Sequence, residues 1–238
     1  MAAKLKASVS VLALGVALAS GSALAYQQGD VVLRAGAALV DPQEDSSELA
    51  LNGTNLSDTP LDIDSSVGVG SNTQIGLTVM YMLNNNVGVE LLAATPFSHE
   101  VTANLGGTVV DAAEVKHLPP TVSVQYFPMS SDSALQPYVG VGLNYTVFFD
   151  EEVDSELDAV TTSLGLGDAK SLELDDSIGL SFELGCDYAI SDTLVLNASV
   201  WMIDIDTTAT FKYDDGSKIT ADVDIDPIVY MVGLGYKF

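Results

Sequence analysis

Apolar and polar residues alternate with a period of two through much of the chain, as they do in strands that turn one face to an apolar medium. Eight segments follow this pattern. In residues 30–39, Val31, Leu33, Ala35, Ala37 and Leu39 share one face and Arg34 lies on the other. Residues 72–82 set Thr73, Ile75, Leu77, Val79 and Tyr81 against Asn72, Gln74, Gly76 and Thr78. Residues 87–97 set Val87, Val89, Leu91 and Ala93 against Gly88 and Glu90, and the shorter 121–127 sets Val122, Val124 and Tyr126 against Ser123 and Gln125. The same alternation runs through 138–149, 177–188, 193–204 and 226–238, where Val141, Leu180, Val200 and Val232 stand for the apolar sets.

Soluble sandwiches alternate too, so the connections decide between the two architectures. The links after the first, third, fifth and seventh segments are long, at 40–71, 98–120, 150–176 and 205–225. Those after the second and sixth are as short as 83–86 and 189–192. Long loops on one side and tight turns on the other mark an outer-membrane barrel, with both termini of the folded part in the periplasm. Tyr81, Tyr126, Tyr188 and Tyr236 fall on the apolar face one or two residues from the periplasmic ends of their strands, as one ring of an interfacial girdle. Phe238 continues the last apolar set and is expected to be read by the barrel-assembly machinery.

The first 25 residues read as a secretory leader. Lys4 and Lys6 give a positive start, residues 7–19 are apolar, and Ala23-Leu24-Ala25 is a cleavage site that leaves Tyr26 first. An apolar run of about 13 residues is too short to span a bilayer as a helix, which takes roughly 20. No later run approaches that length, so a membrane span must be made of strands, and only a closed barrel satisfies their backbones in lipid. Loss of the two leader lysines takes the formal charge from −25 to −27. With no basic patch to meet phosphates, nucleic acid is excluded as a partner. Cys186 is the only cysteine, which rules out an internal disulfide.

Several runs go beyond generic patterning. They are 72–78 (NTQIGLT), 88–97 (GVELLAATPF), 117–121 (HLPPT), 138–145 (YVGVGLNY) and 201–209 (WMIDIDTTA). Together they resemble the OmpW family of outer-membrane proteins over the whole mature chain except the variable loops. The resemblance implies an all-β, eight-stranded antiparallel transmembrane barrel with long extracellular loops and a narrow hydrophobic channel for small apolar molecules. The first and third loops here are longer and more acidic than the family's, which bears on any loop-dependent binding of phage or bacteriocin.

An eight-stranded barrel has room inside for side chains or one small ligand. Near the periplasmic end the inward face carries Arg34, Glu90, Gln125, Glu183, Asp187 and Lys237, which can pair as a polar plug because buried charges need compensation. Toward the outer end it becomes apolar: Leu92, Ala94, Phe148, Trp201, Ile203, Val229 and Met231, with Leu92 and Trp201 at the transition as floor or gate. An apolar pouch over a charged plug suits a greasy ligand from outside; the bland alternative is plain filling of the barrel. A ligand stopped by the plug needs another exit. Pro96, Pro119 and Pro120 flank the seam between the third and fourth strands and donate no ladder bonds, which points either to sideways release into the bilayer there or to a simple strand end flanking a loop.

His99 and His117 flank the second long link, without the Cys or placed carboxylate that a metal site needs. Asp222, Asp224 and Asp226, with Asp204 and Asp206, put carboxylates on the outward face above the membrane, either as a plain solvated rim or as groups that share divalent cations with lipopolysaccharide. No nucleophile or phosphate-binding motif occurs, so neither an enzyme nor a cofactor is expected. The competing function is a non-transporting structural or adhesive envelope barrel.

Overall fold

A computed structural model describes residues 26–238 apart from 132, 164 and 166. The leader expected over 1–25 lies outside the described residues. Eight long strands form the wall: β1 (Val31–Asp41), β2 (Asn72–Met82), β3 (Val87–Ala94), β4 (Thr121–Tyr126), β5 (Leu135–Val153), β6 (Ser177–Ala189), β7 (Leu194–Ile203) and β8 (Ile228–Lys237). Each pairs antiparallel with the next. β8 then pairs with β1, from Val32↔Lys237 to Asp41↔Ile228, and closes the sheet on itself. Closure leaves no free edge, the condition for strands in hydrocarbon.

The alternation is visible in exposure. Along β4, Val122, Val124 and Tyr126 are 51–52% exposed, while Thr121, Ser123 and Gln125 are at most 2% exposed. The exposed faces form an apolar belt of residues such as Ile75, Leu143, Ile178, Phe182 and Val232. In a soluble protein that belt would be a large unfavourable patch; in a bilayer it meets acyl chains. Tyr81, Tyr126 and Tyr236 are exposed at its periplasmic rim, and Tyr188 is half-buried there. Tyr145 and Tyr230 mark a second ring at the outer rim.

The long links expected as loops are largely sheet. Residues Phe97–Leu105 and Thr108–Leu118 form a hairpin that continues the third and fourth strands outward. Its two-residue turn, Gly106-Gly107, has φ of +60° and +90°, the left-handed region in which glycine avoids a side-chain clash. This hairpin joins Ser65–Val69 on one side and the upper part of β5 on the other. A second upper sheet contains Ala169–Leu174, Asp206–Tyr213, Lys218–Asp224 and the short Ala50–Leu51 and Thr54–Asn55. Helix α1 (Ser155–Ser163) contributes Leu157 and Thr161 to the space between the sheets. The extracellular half is therefore a built chamber, and its inner faces continue the apolar core of the upper barrel.

Candidate functional site

The lumen is layered, and its bottom layer is closed. Arg34 of β1 reaches Glu90 of β3 at 2.6 Å and Asp187 of β6 at 2.5 Å, tying strands on different sides of the barrel. Its Nε also donates to Asp187 Oδ1 at 3.2 Å, making that pair bidentate, and its guanidinium lies 5.6 Å from the Tyr138 ring centroid. Gln125 Nε2 donates to both carboxylate oxygens of Glu183, at 3.1 and 2.9 Å. Lys237 stands apart at the rim, 3.8 Å from Asp30.

Four residues that the polar-plug reading did not include complete this floor. Tyr26 is buried and its hydroxyl donates to Asp187; its ring lies 5.1 Å from Phe127, and Phe127 lies 4.9 Å from Tyr138. Asn197 Nδ2 donates to Asp187 Oδ1 at 2.8 Å and to Tyr138 Oη at 3.0 Å. Tyr138 fits because position 185 opposite is glycine: a Cβ there would fall 2.2 Å from the Tyr138 ring. The parity of β5 already turns Tyr138 inward, so its signal was present in the alternation. Tyr26 precedes every strand, and no periodicity reaches it.

Above the floor comes a neutral polar layer. Asn144 Nδ2 donates to Thr121 Oγ1 at 2.9 Å, and Thr146 Oγ1 donates to Asn144 Oδ1 at 2.7 Å. Next is an apolar neck. Leu92, Phe148, Trp201, Ile203, Val229 and Met231 belong to one buried cluster, with Ala94 packed against it. Trp201 is 1% exposed and its Nε1 has no hydrogen-bond partner, so packing alone holds it. The void in the neck, about 10 Å³ beside Leu92, Ala94, Ile203, Val229 and Pro119, holds no more than one water.

Open apolar space lies higher than the alternation suggested. Between the two upper sheets is a cavity of about 70 Å³, lined by residues such as Val40, Val67, Phe148, Leu172, Phe211 and Ile219. That is room for several waters, yet the wall is almost wholly apolar. His99 and His117 are its notable polar side chains. They touch, Nε2 to Nε2 at 2.9 Å, and His99 Nδ1 lies 2.5 Å from the Gly70 carbonyl. His117 stacks 5.9 Å from Phe148 and lies 5.5 Å from Phe97. Burial pushes both imidazoles below the usual histidine range, His117 to about 3. Their hairpin stands outside the bilayer, as its polar outer face shows: Ser98 donates to Glu114 and Lys116 pairs with Asp150 at 3.3 Å.

The barrel wall is interrupted beside the neck. β3 and β4 pair from Tyr126↔Val87 up to Thr121↔Leu92, and pairing resumes only at Phe97↔His117. Between these points Ala93 and Ala94 pair with β2, and Thr95 N donates to Ile75 O at 3.0 Å. Across the gap the Pro120 carbonyl accepts from Tyr145 N of β5 at 3.0 Å. Both edges thus bond away from each other, and Pro96, Pro119 and Pro120 have no N–H to bridge them. Elsewhere on the outer surface, the carboxylates of Asp204, Asp206 and Asp226 lie within 4.8 Å of one another and are exposed. Desolvation, then Asp204, Asp224 and Asp226, raise the Asp206 carboxyl. These three are the residues among those described that converge as a divalent cation would require.

Comparison with known proteins agrees with this architecture. The OmpW family profile matches residues 27–238. Outer membrane protein W of Vibrio cholerae is 46% identical over 236 residues, 98% of this chain and all of that protein. The Escherichia coli protein of the same name is 41% identical over 233 residues, 98% of this chain and 99% of that one. The crystal structure of the outer membrane protein OprG from Pseudomonas aeruginosa superposes with a TM-score of 0.81 at 42% identity, covering 90% of this chain and 98% of that one.

Proposed function

Because the chain belongs to the OmpW family of outer-membrane proteins, we propose that its barrel admits small apolar molecules from outside and releases them sideways into the bilayer. The observation that carries this reading is a continuous apolar surface running from the extracellular cavity through the neck to the wall gap. Below it the lumen is closed by ion pairs and packed rings. An apolar solute gains nothing by entering a charged floor, whereas lipid at the gap continues the environment of the neck. Leu92 and Trp201 act as the gate in this route, and Pro96, Pro119 and Pro120 keep the exit unpaired. Phe238, 70% exposed beside Tyr236, is the element offered to the assembly machinery. Residues 1–25 act as the leader, removed after Ala25, which frees Tyr26 to seat its ring in the floor.

The near-filled neck favours a second reading, a barrel that strengthens or decorates the envelope and transports nothing. A cross-link separates the two. With Cys186 replaced, cysteines at Ala94 and Pro119 join the edges of the gap on oxidation. Transfer of an apolar fluorophore into proteoliposomes is expected to fall severalfold in the oxidised barrel and recover on reduction. Leu92→Ala and Trp201→Ala, which widen the neck, are expected to raise transfer. Transfer unchanged in all three variants, with folding confirmed by heat-modifiable gel mobility, favours the structural barrel.

A further inference from the structure

The two histidines give the apolar cavity a chemical preference. The Gly70 carbonyl can only accept, so His99 Nδ1 carries the proton of that bond. A neutral His99 therefore presents a bare Nε2, and the contact between the rings requires His117 Nε2 to donate. A neutral His117 is then left with a bare Nδ1. That atom is buried, has no partner, and belongs to a residue 6% exposed on the cavity wall. The low proton affinity that burial gives both rings keeps them neutral, as this assignment needs.

Two hydroxyls near the wall are already engaged, and a third, Tyr213 Oη, is buried without a partner and makes no hydrogen bond to that atom. Thr161 Oγ1 lies 2.9 Å from Gly167 O and 3.0 Å from Leu157 O, and Thr207 Oγ1 donates to Asp175 O at 2.8 Å. No carboxylate is among the described lining residues, so an ammonium would find no counter-charge. A ketone or ether brings only a second lone pair to Nδ1. A hydroxyl brings the missing proton.

We propose that the cavity selects apolar molecules carrying a single hydrogen-bond donor, of which an aliphatic or aromatic alcohol is the simplest. His117 Nδ1 accepts the donor, and Phe148, stacked on His117 in the cavity wall, flanks the apolar body. The inference rests on the entry route proposed above and adds the class of solute that route prefers. Satisfying an otherwise orphaned buried acceptor is worth about tenfold in affinity.

The test uses the mature barrel in nanodiscs, titrated with 1-octanol and with methyl heptyl ether, its near-isostere without a donor; empty nanodiscs provide the baseline. Octanol is expected to bind about tenfold tighter than the ether, and His117→Phe to abolish that preference while leaving ether binding in place. In the unmutated barrel labelled with ¹⁵N-histidine, octanol is expected to shift the His117 Nδ1 resonance and the ether to leave it unmoved. Equal affinity for both ligands, or a preference that survives in His117→Phe, overturns the selectivity but keeps the entry route. If neither ligand binds above the baseline, the entry route fails and the selectivity falls with it. An unmoved Nδ1 resonance under saturating octanol overturns the role of His117 without recourse to any variant.

Discussion

At the scale of single residues, Arg34 has the largest consequences. It is the cation shared by Glu90 and Asp187, and all three are almost completely buried. Deleting one partner of such a group leaves charge with neither water nor counter-ion, at a cost of about 3–5 kcal/mol. Arg34→Leu is therefore expected to lower the unfolding free energy by about that amount, read from urea titrations in lipid. A loss under about 1 kcal/mol is what a solvated rim charge would give. The inward face and common height of Arg34, Glu90 and Asp187 were legible in the sequence, because strand parity places them there. Lys237 has the same parity but lies at the rim beside Asp30. Parity gives the face of a residue, and only the coordinates give its reach.

At the scale of elements, the hairpin Phe97–Leu105 and Thr108–Leu118 carries a pH dependence. Unfolded histidine titrates near 6.5, while folded His117 titrates at about 3 and His99 also below the usual range. The folded hairpin thus binds fewer protons than the unfolded one below pH 6.5. Its stability is full above that pH and declines as pH falls toward 3, by about 1.4 kcal/mol per unit for His117. The rings that sandwich His117 are Phe97 and Phe148, and neither can take a compensating charge. Amide exchange in this hairpin, corrected for intrinsic rates, is expected to reveal local opening easier by about 2 kcal/mol at pH 5 than at pH 7. The dependence should weaken in His117→Phe. Gly106-Gly107 between two alternating runs is a hairpin signal in the sequence, masked by the length of the 98–120 link, which reads as a loop.

At the scale of the whole molecule, eight antiparallel strands gather the long connections at one end of the closed barrel and the short turns at the other, and that asymmetry sets the orientation. Asp62, Asp111, Glu156 and Asp215 are all exposed on the chamber side, and Asn85 is exposed in the opposite turn. Single cysteines at these positions, in a chain lacking Cys186, are expected to react with an impermeant thiol reagent on intact cells at the first four and not at Asn85. Reaction only at Asn85 would reverse the orientation. The chamber also gives the molecule its division of labour: lipid holds the lower half, and two packed sheets enclose apolar space above it.

Which of these features the sequence determined follows from the range of the forces involved. Period-two alternation is local, so it specified eight strands, their faces, and the observed bounds of β2 at Asn72–Met82. Loop lengths set the orientation, and the prolines marked the interrupted seam, because a missing N–H is a property of one residue. Tertiary structure decided the rest. The third strand breaks at Ala94 rather than running to Phe97, because its ladder partner ends in prolines. Phe148, expected inside the barrel, also lines a cavity above it, because β5 runs on to Val153 as part of an upper sheet. The orphaned Nδ1 of His117 depends on a carbonyl 47 positions earlier in the chain and on a ring 18 residues away. Such a contact has no period and no motif. It exists only once the chain has folded and brought those atoms together.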